Sequence, residues 1–212
     1  MNETNLEKLQ QNLLLPGLAE LGLASSFVPA VWQYLQLLSK WNKAYNLTAI
    51  RDLESMVVQH ALDGLSVHGY VKLSDKRLID VGTGGGVPGV LLAIVRPDLD
   101  VCLLDAVGKK ARFLRQVKRE MRLDNVTVIH DRVENYSPCE KFDVVISRAF
   151  SEVNQFLSWT RHLGDKQSRF LAMKGPRVEA LKVDSGFEMV QSDELLVPFL
   201  KEQRMLYQYK KS

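Results

Sequence analysis

The sequence has little cysteine and no long apolar run, and these two absences narrow the class of protein. Only two cysteines, Cys102 and Cys139, occur in 212 residues. They have neither CxxC spacing nor clustered histidines, so we expect no metal site and no disulfide framework. No apolar run approaches the roughly 20 residues of a membrane span, and the N-terminus lacks a basic segment followed by an apolar one. We therefore expect a cytoplasmic protein that does not enter a membrane.

An excess of one charge is also lacking. The chain carries 28 Lys and Arg against 25 Asp and Glu, a formal net charge of +3. This balance permits nucleic-acid binding without requiring it, because many enzymes that act on small molecules are equally basic. A chain of 212 residues with 46% hydrophobic residues can bury one sizeable core but not two large ones. We expect one main domain with a smaller appendage.

The first third of the chain has helical periodicity. Apolar residues recur at three- and four-residue spacing and predict at least three short helices before about residue 72. Ser25-Ser26 and Asp52 are candidate N-caps, while Pro16-Gly17 and the stretch around Asn46 predict breaks. Residues 1–72 are therefore interpreted as an N-terminal helical extension.

The rest of the chain alternates short aliphatic runs with helical stretches. This alternation is typical of a parallel sheet with crossover helices, and two final strands around Pro198 predict an antiparallel edge. The predicted strands are residues 77–81, 101–104, 126–129, 142–147, 170–173, 188–197 and 204–209. Residues 73–212 are thus predicted to form an α/β domain whose seven-stranded, mostly parallel sheet is flanked by helices.

The first strand runs into a glycine-rich turn at residues 78–89, LIDVGTGGGVPG. Glycines let the backbone turn tightly and approach a ligand closely, and a helix N-terminus offers N–H groups. We expect a ligand against Gly82 and Gly84. The alternative is a turn that only connects a strand to a helix.

Two ligand classes compete for this turn. Residues 84–89 formally match the dinucleotide pattern G-x-G-x-x-G, which is typical of NAD enzymes. Asp80, however, stands two residues before the first glycine, and its anion would repel a pyrophosphate. It suits S-adenosylmethionine, which carries a sulfonium and an α-ammonium. The turn therefore favours a methyl donor over NAD.

Two further segments follow later strands. Asp105 ends the second strand, where a carboxylate can accept both hydroxyls of a ribose, although such an Asp is often only the N-cap of the next helix. Residues 130–134, HDRVE, follow the third strand, where a loop could flank an adenine. The alternative for this loop is a solvated turn.

An ordered series of segments extends through most of the chain. In chain order they are 41–48 (WNKAYNLT), His60, Asp63, 80–84 (DVGTG), Pro88-Gly89, Arg96-Pro97, Leu104-Asp105, Lys109, Phe113-Leu114, 132–134 (RVE), Phe142-Asp143, 146–149 (ISRA) and Lys174-Gly175. Together they resemble the RsmG family, also called GidB, the bacterial 16S rRNA guanine-N7 methyltransferases. The chain departs from that family at Gln59, Gly64 and Gly85, where Arg, Ser, and Pro or Ala are common.

The resemblance implies a Rossmann-like class I methyltransferase fold, S-adenosylmethionine as cofactor, and methylation of a guanine N7 in the decoding-region loop of 16S rRNA. The partner would be this RNA or the small ribosomal subunit, and the enzyme a monomer. By position, the family's cofactor contacts fall on Gly82, Val87, Val133, Glu134 and Arg148. The residue patterns described above add three more candidate cofactor contacts, Asp80, Gly84 and Asp105.

Guanine N7 has a lone pair and no proton to remove, so its methylation requires no general base. Catalysis can depend on proximity, orientation and accommodation of positive charge. We assign no catalytic residue and take Arg148 and Lys174 as orientation candidates. The roles of His60 and Asp63 are left open.

The helix after Asp105 is strongly basic. Its apolar stripe, which would pack on the sheet, is formed by Ala111, Leu114, Val117 and Met121. Its candidate phosphate contacts are Lys109, Lys110, Arg112, Arg115, Lys118, Arg119 and Arg122. Lys43 is a further candidate, and the rings that could stack on an extruded base are Trp41, Tyr45 and Phe150. The alternatives are a solvated basic face and core packing.

Two other functions remain open. A methyltransferase for a small metabolite would use the helical extension as a lid and would not depend on RNA. An NAD-binding oxidoreductase or nucleotide-binding regulator would prefer NAD or a nucleotide to S-adenosylhomocysteine.

Overall fold

The N-terminal part of the chain is helical, as predicted. The computed structural model describes residues 3–148, 152–176 and 186–212. The elements before the sheet are α1 (Glu3–Leu9), a π-helical turn (Gln10–Leu14), α2 (Leu15–Glu20), a 3-10 turn (Ser25–Phe27), α3 (Val28–Tyr45), α4 (Leu53–Met56), a π-helical segment (Val57–Leu62), α5 (Asp63–Leu65) and a 3-10 turn (His68–Tyr70).

Two of the predicted helix boundaries are confirmed. Asp52 is the N-cap of α4, and its Oδ1 accepts the Ser55 N–H at 2.7 Å. Asn46 ends α3 in a left-handed conformation with φ of 47°, which Asn tolerates better than most residues.

Two other predicted boundaries are wrong. Ser25 and Ser26 lie in the 3-10 turn before α3, which begins at Val28 without a side-chain cap. Pro16-Gly17 does not break the helix, because Pro16 lies in the first turn of α2, where its missing N–H is not required. The preceding π-helical turn leads the chain into that position.

The seven predicted strands form one sheet. They are β1 (Arg77–Val81), β2 (Asp100–Leu104), β3 (Val126–Ile129), β4 (Val144–Ser147), β5 (Arg169–Lys174), β6 (Phe187–Leu195) and β7 (Arg204–Lys211). Strand β4 begins two residues later than predicted because Asp143 turns its carboxylate to the backbone N–H groups of Lys76 and Arg77. The crossover and flanking helices are α6 (Gly89–Val95), α7 (Gly108–Met121) and α8 (Val153–Thr160).

The strand order is β3-β2-β1-β4-β5-β7-β6. Strands β1 to β5 are parallel, whereas β7 runs antiparallel to both β5 and β6. The predicted antiparallel edge is therefore confirmed. Because β1 lies between β2 and β4, the carboxyl ends of these three strands meet at the middle of one sheet edge, where open α/β sheets bind ligands.

Hydrophobic clusters cover both faces of the sheet. Leu78 and Ile146 face a cluster that includes the N-terminal helices, while Ile79 and Val145 face a second cluster under α8. This alternation is the two-residue period of a strand. Since the helical extension shares its core with one sheet face, the domain boundary at residue 72 stays a prediction. No helix within the three described ranges combines the length and apolarity that crossing a bilayer requires.

Candidate active site

The glycine turn between β1 and α6 contains three residues with left-handed backbone. Gly82, Gly84 and Gly86 have φ of 69°, 63° and 99°. At Gly86 a Cβ would also lie 2.4 Å from Val90 Cγ2. Side chains other than glycine are strained in this region. Gly85 has no such φ, which agrees with the Pro or Ala found there in the RsmG family.

Six backbone N–H groups of the turn are engaged within the protein. They belong to Gly82, Thr83, Gly84, Gly86, Val87 and Gly89, and all donate to carbonyl or carboxylate oxygens of the chain. The expectation that N–H groups here would be available to a ligand is therefore wrong for these residues. The turn is not a phosphate cradle of the kind that binds a pyrophosphate.

Asp80 lies underneath the turn and is fully buried. Its Oδ2 accepts the Thr83 hydroxyl at 2.6 Å and the Gly89 N–H at 2.9 Å, while its Oδ1 has no hydrogen-bond partner. Burial raises its pKa to about 6, an effect that these hydrogen bonds and Arg148 oppose. Asp80 therefore fixes the turn from inside, and its predicted role at the cofactor is not a surface contact.

Asp105 joins the end of β2 to the turn. Its Oδ2 accepts the Gly84 N–H at 2.9 Å, and its Oδ1 accepts the Val107 N–H at 2.8 Å. Lys110 Nζ lies 3.6 Å from Oδ2. Helix α7 begins at Gly108 with Val107 as its N-cap residue, so the alternative that Asp105 is the N-cap is wrong.

A cleft of about 200 Å³, here called the Val133 cleft, opens beside Asp105. Gly82 and Asp105 form one side, and Val133 and Glu134 form another. Trp159 of α8 also lines the cleft and is 39% exposed. No sequence motif marked Trp159, although a large exposed ring on an amphipathic helix is the kind of feature that marks a binding surface.

A second cleft of about 210 Å³, the Thr48 cleft, lies on the other side of Gly82. Its walls include Val87 from the turn and Leu38 and Thr48 from the helical extension. Tyr34, also from the extension, donates its hydroxyl to the Gly85 carbonyl at 2.8 Å. The extension therefore forms part of the site and positions the turn.

A third cleft of about 330 Å³, the Asp63 cleft, adjoins the second one. The two share His60 and Arg148. Lys174 and Arg204 also line it. The three clefts thus follow one another along the carboxyl edge of the sheet, and the structure brings the predicted cofactor residues, together with Lys174, to this edge.

Arg148, at the end of β4, joins the sheet to the helical extension. Its Nη1 donates to Asp63 Oδ2 and to the Gln59 carbonyl, both at 2.8 Å, and its Nη2 donates to His60 Nδ1 at 3.2 Å. The half-buried guanidinium is thereby held in one orientation. This contact also gives a reason for His60 and Asp63 to occur together in the sequence.

The contact with Arg148 sets the tautomer of His60. Because a guanidinium only donates, Nδ1 must carry the lone pair and Nε2 the proton. Nε2 then donates to Thr48 Oγ1, 3.0 Å away, which also accepts the Ile50 N–H at 3.2 Å. Burial, and secondarily Arg148, lowers the pKa of His60 to about 4. His60 is therefore neutral at pH 7, with both ring nitrogens engaged.

Arg204 also lines the Asp63 cleft, and the sequence did not single it out, since no residue of the last two predicted strands was assigned to the site. It begins β7, and its Nε lies 3.6 Å from Asp63 Oδ1. No local pattern marks it, because β7 comes next to β5 only through the order of strands in the sheet.

The basic helix α7 packs as predicted, with Ala111, Leu114 and Val117 fully buried. Two of its candidate phosphate-binding residues make contacts within the protein. Lys109 donates to the carbonyls of Tyr45 and Asn46 at the end of α3, and Lys110 lies at Asp105.

Among the candidate stacking rings, Trp41 packs between Tyr45 and Phe113, with ring centroids 5.1 and 5.7 Å away. Its position supports the alternative of core packing, whereas Tyr45 is 39% exposed. Phe150 lies outside the described residues.

Solved methyltransferases share the fold. An S-adenosylmethionine-dependent methyltransferase from Aquifex aeolicus superposes with a TM-score of 0.59 at 17% identity, over 82% of this chain and 98% of that one. A putative O-methyltransferase from Klebsiella pneumoniae gives 0.57 at 16% identity, over 84% and 90%. The predicted Rossmann-like class I methyltransferase fold is confirmed.

Sequence comparisons identify the family. Proteins named ribosomal RNA small subunit methyltransferase G from Pseudomonas putida and Psychromonas ingrahamii are 52% identical over 175 residues and 49% identical over 181 residues. The matches cover 82% and 84% of this chain, and 81% and 86% of those relatives. The profile of the GidB family, described as rRNA small subunit methyltransferase G, matches residues 28–207. The chain therefore belongs to the GidB family, as its sequence motifs predicted.

Proposed function

We propose that the protein transfers a methyl group from S-adenosylmethionine to N7 of a guanine in 16S rRNA. The observation that carries this proposal is the glycine turn, in which six backbone N–H groups donate within the chain and the carboxylate of Asp80 lies underneath. Such a turn attracts a cationic ligand and disfavours a pyrophosphate. Together with membership of the GidB family, it favours the sulfonium cofactor over NAD.

The clefts offer a place for each part of this cofactor. The Val133 cleft would hold the adenosine, with Val133, Glu134 and Trp159 around the base. Asp105 would bind the ribose, because each carboxylate oxygen that now accepts one N–H can accept a second donor.

The methionine part would pass Gly82 and Gly84 into the Thr48 cleft, near Val87 and Arg148. Asp80 would act from beneath the turn through its charge. When bound, the cofactor supplies an electrophilic methyl group, and the chain supplies position and electrostatics.

The surroundings of this site suit a reaction without proton abstraction. His60 is neutral, but its Nδ1 lone pair already accepts from Arg148 and its Nε2 proton is donated to Thr48. It is thus poorly placed to act as a general base. Guanine N7 needs none, so Arg148 and Lys174 are proposed to orient the target and not to move protons.

The substrate, the oligomeric state and the cellular compartment are also part of the proposal. We propose that the substrate is 16S rRNA or the small ribosomal subunit, that the enzyme acts as a monomer, and that it works in the bacterial cytoplasm. The names of the curated relatives support the RNA substrate.

The test is transfer of radiolabelled methyl from S-adenosylmethionine to small ribosomal subunits, and separately to their RNA, both from cells that lack this activity. Nuclease digestion and mass spectrometry would identify the product. We expect 7-methylguanine. Tight binding of S-adenosylhomocysteine without any labelling of either substrate would contradict the RNA proposal and favour a small-metabolite methyltransferase.

A further inference from the structure

We infer that the Asp63 cleft binds a backbone phosphate of the RNA next to the target guanine, and that Arg204 is its main ligand, with Arg148 beside it. This inference rests on the proposed function, since it assigns the third cleft to the substrate. It also places part of the RNA site on β7, a strand with no motif of its own.

The charge of the cleft supports an anionic ligand. Three cationic side chains line it, Arg148, Lys174 and Arg204, against the single carboxylate of Asp63. His60, the other titratable residue in the lining, is neutral. A positive excess within walls that include Ile50, Met173 and Leu195 raises the local concentration of anions.

Asp63 acts as an anchor for both guanidinium groups. Its carboxylate is buried, with Arg148 hydrogen-bonded to Oδ2 at 2.8 Å. Oδ1 has no hydrogen-bond partner, and Arg204 Nε lies 3.6 Å from it, too far for a hydrogen bond. The charge of Asp63 thus attracts Arg204, but no hydrogen bond fixes the Arg204 side chain there. The guanidinium can therefore adjust its position to a ligand.

Both arginines retain donors for a phosphate. Arg148 uses three of its N–H groups on Asp63, Gln59 and His60, and Arg204 donates through Nη1 to the Gln203 carbonyl at 3.3 Å. A guanidinium has five N–H donors, so each keeps some without an acceptor among the described residues. Two such planar forks can hold phosphate oxygens in pairs.

The position of the cleft favours RNA over the carboxylate of the cofactor. The Asp63 cleft contains no residue of the glycine turn and none of the Val133 cleft, and it meets the Thr48 cleft only at His60 and Arg148. A cofactor that lies along Gly82 therefore leaves this cleft for the substrate. Its volume of about 330 Å³ is at the lower end of the range for small-ligand sites, about 300 to 1,000 Å³, which suits one phosphate with its sugar.

The test compares Arg204→Gln and Arg204→Lys with Lys166→Gln. Lys166 is an exposed cation before the amino end of β5, at the opposite edge of the sheet. Arg204→Gln should raise KM for small ribosomal subunits about tenfold, while the Kd for S-adenosylhomocysteine, measured by calorimetry, changes less than twofold. We also expect its affinity for 16S rRNA to depend less on salt. The slope of log affinity against log salt concentration should become shallower by about 0.7, the contribution of one phosphate contact.

The other variants separate charge from shape. Arg204→Lys should keep the salt slope, because its charge remains, but bind RNA more weakly because a single ammonium replaces the fork. Lys166→Gln should behave as the wild-type protein in all three measurements. Thermal unfolding of each variant would show that the fold persists.

Two outcomes would overturn the inference. One is an unchanged KM and salt slope for Arg204→Gln, and the other is a loss of S-adenosylhomocysteine affinity in that variant without loss of RNA affinity. If the wild-type protein itself transfers no methyl group to the RNA, the proposed function fails first, and that result does not depend on Arg204.

Discussion

Gly84 donates its backbone N–H to the Asp105 carboxylate at 2.9 Å, and this bond connects the glycine turn to the end of the neighbouring strand. The two residues are 21 positions apart. Asp105 is only 4% exposed and also accepts the Val107 N–H. The same carboxylate thus holds the turn, orients the start of α7 and faces the Val133 cleft.

Asp105→Asn is expected to weaken both the turn and the cofactor site. The carboxamide nitrogen would then face the N–H of either Gly84 or Val107. Because both groups donate, that hydrogen bond would be lost. We expect a loss of about 1 to 3 kcal/mol in the free energy of unfolding and at least a tenfold rise in the Kd for S-adenosylhomocysteine. Urea unfolding and calorimetry measure the two effects, with the exposed Asp124→Asn as control. Unchanged cofactor affinity would remove Asp105 from the site.

Tyr34→Phe tests whether the helical extension supports the turn. The Tyr34 hydroxyl is fully buried and donates to the Gly85 carbonyl at 2.8 Å. Its removal should cost about 1 kcal/mol of unfolding free energy and weaken S-adenosylhomocysteine binding. Tyr45→Phe changes a hydroxyl on a side chain that is 39% exposed and serves as the control. If the two variants bind the cofactor equally well, the extension does not support the turn through this bond.

A set of glycine-to-alanine variants separates backbone strain from steric conflict. Gly86 has φ of 99° and a Cβ there would lie 2.4 Å from Val90 Cγ2, so Gly86→Ala should cost about 3 kcal/mol of unfolding free energy. Gly22 has φ of 74° with no atom near the added Cβ, and about 1 kcal/mol is expected. Gly69 has neither feature and should change by less than about 0.5 kcal/mol. Equal losses in urea unfolding at the first two positions would contradict the predicted clash.

His60 should make the fold sensitive to acid. Its pKa is lowered from 6.5 to about 4 in the folded protein, so the unfolded chain takes up the proton first as pH falls. Stability from this residue is complete above pH 6.5 and declines towards pH 4, by roughly 3 kcal/mol in total. His60→Gln keeps one donor and one acceptor in the side chain but does not titrate. Urea unfolding across this range should show a weaker pH dependence for it than for the wild type or for His130→Gln, an exposed control. An equal dependence would contradict the assignment.

Asp80 should act in the opposite direction. Its pKa is raised from 3.8 to about 6 by burial, so the folded state keeps the proton longer than the unfolded chain. Its contribution to stability is greatest below pH 3.8 and is lost as pH rises through about 6. The unfolding free energy of Asp80→Asn relative to the wild type should therefore increase between these pH values. A difference that stays constant would mean that Asp80 does not titrate in this range.

The strands and the glycine turn were predictable because each depends on neighbouring residues. Runs such as residues 101–104 have the aliphatic composition of a strand with both faces buried, and the structure places β2 at Asp100–Leu104. The helix boundaries were less predictable. Pro16 and Ser25 have properties that suit either a break or a first turn, and contacts within the extension, such as that of Gly17 with Leu62, are not visible in a short stretch of sequence.

The sequence by itself determined the fold class, the family and the strand ends that form the candidate site, because periodicity and turn chemistry are local. Only the tertiary structure decided which side chains meet there. Arg148 bonds to Asp63 across 85 positions, and Arg204 approaches the same carboxylate from a strand that no motif marked. These contacts depend on the strand order and on how the helical extension packs against the sheet, and no short stretch of sequence encodes either one.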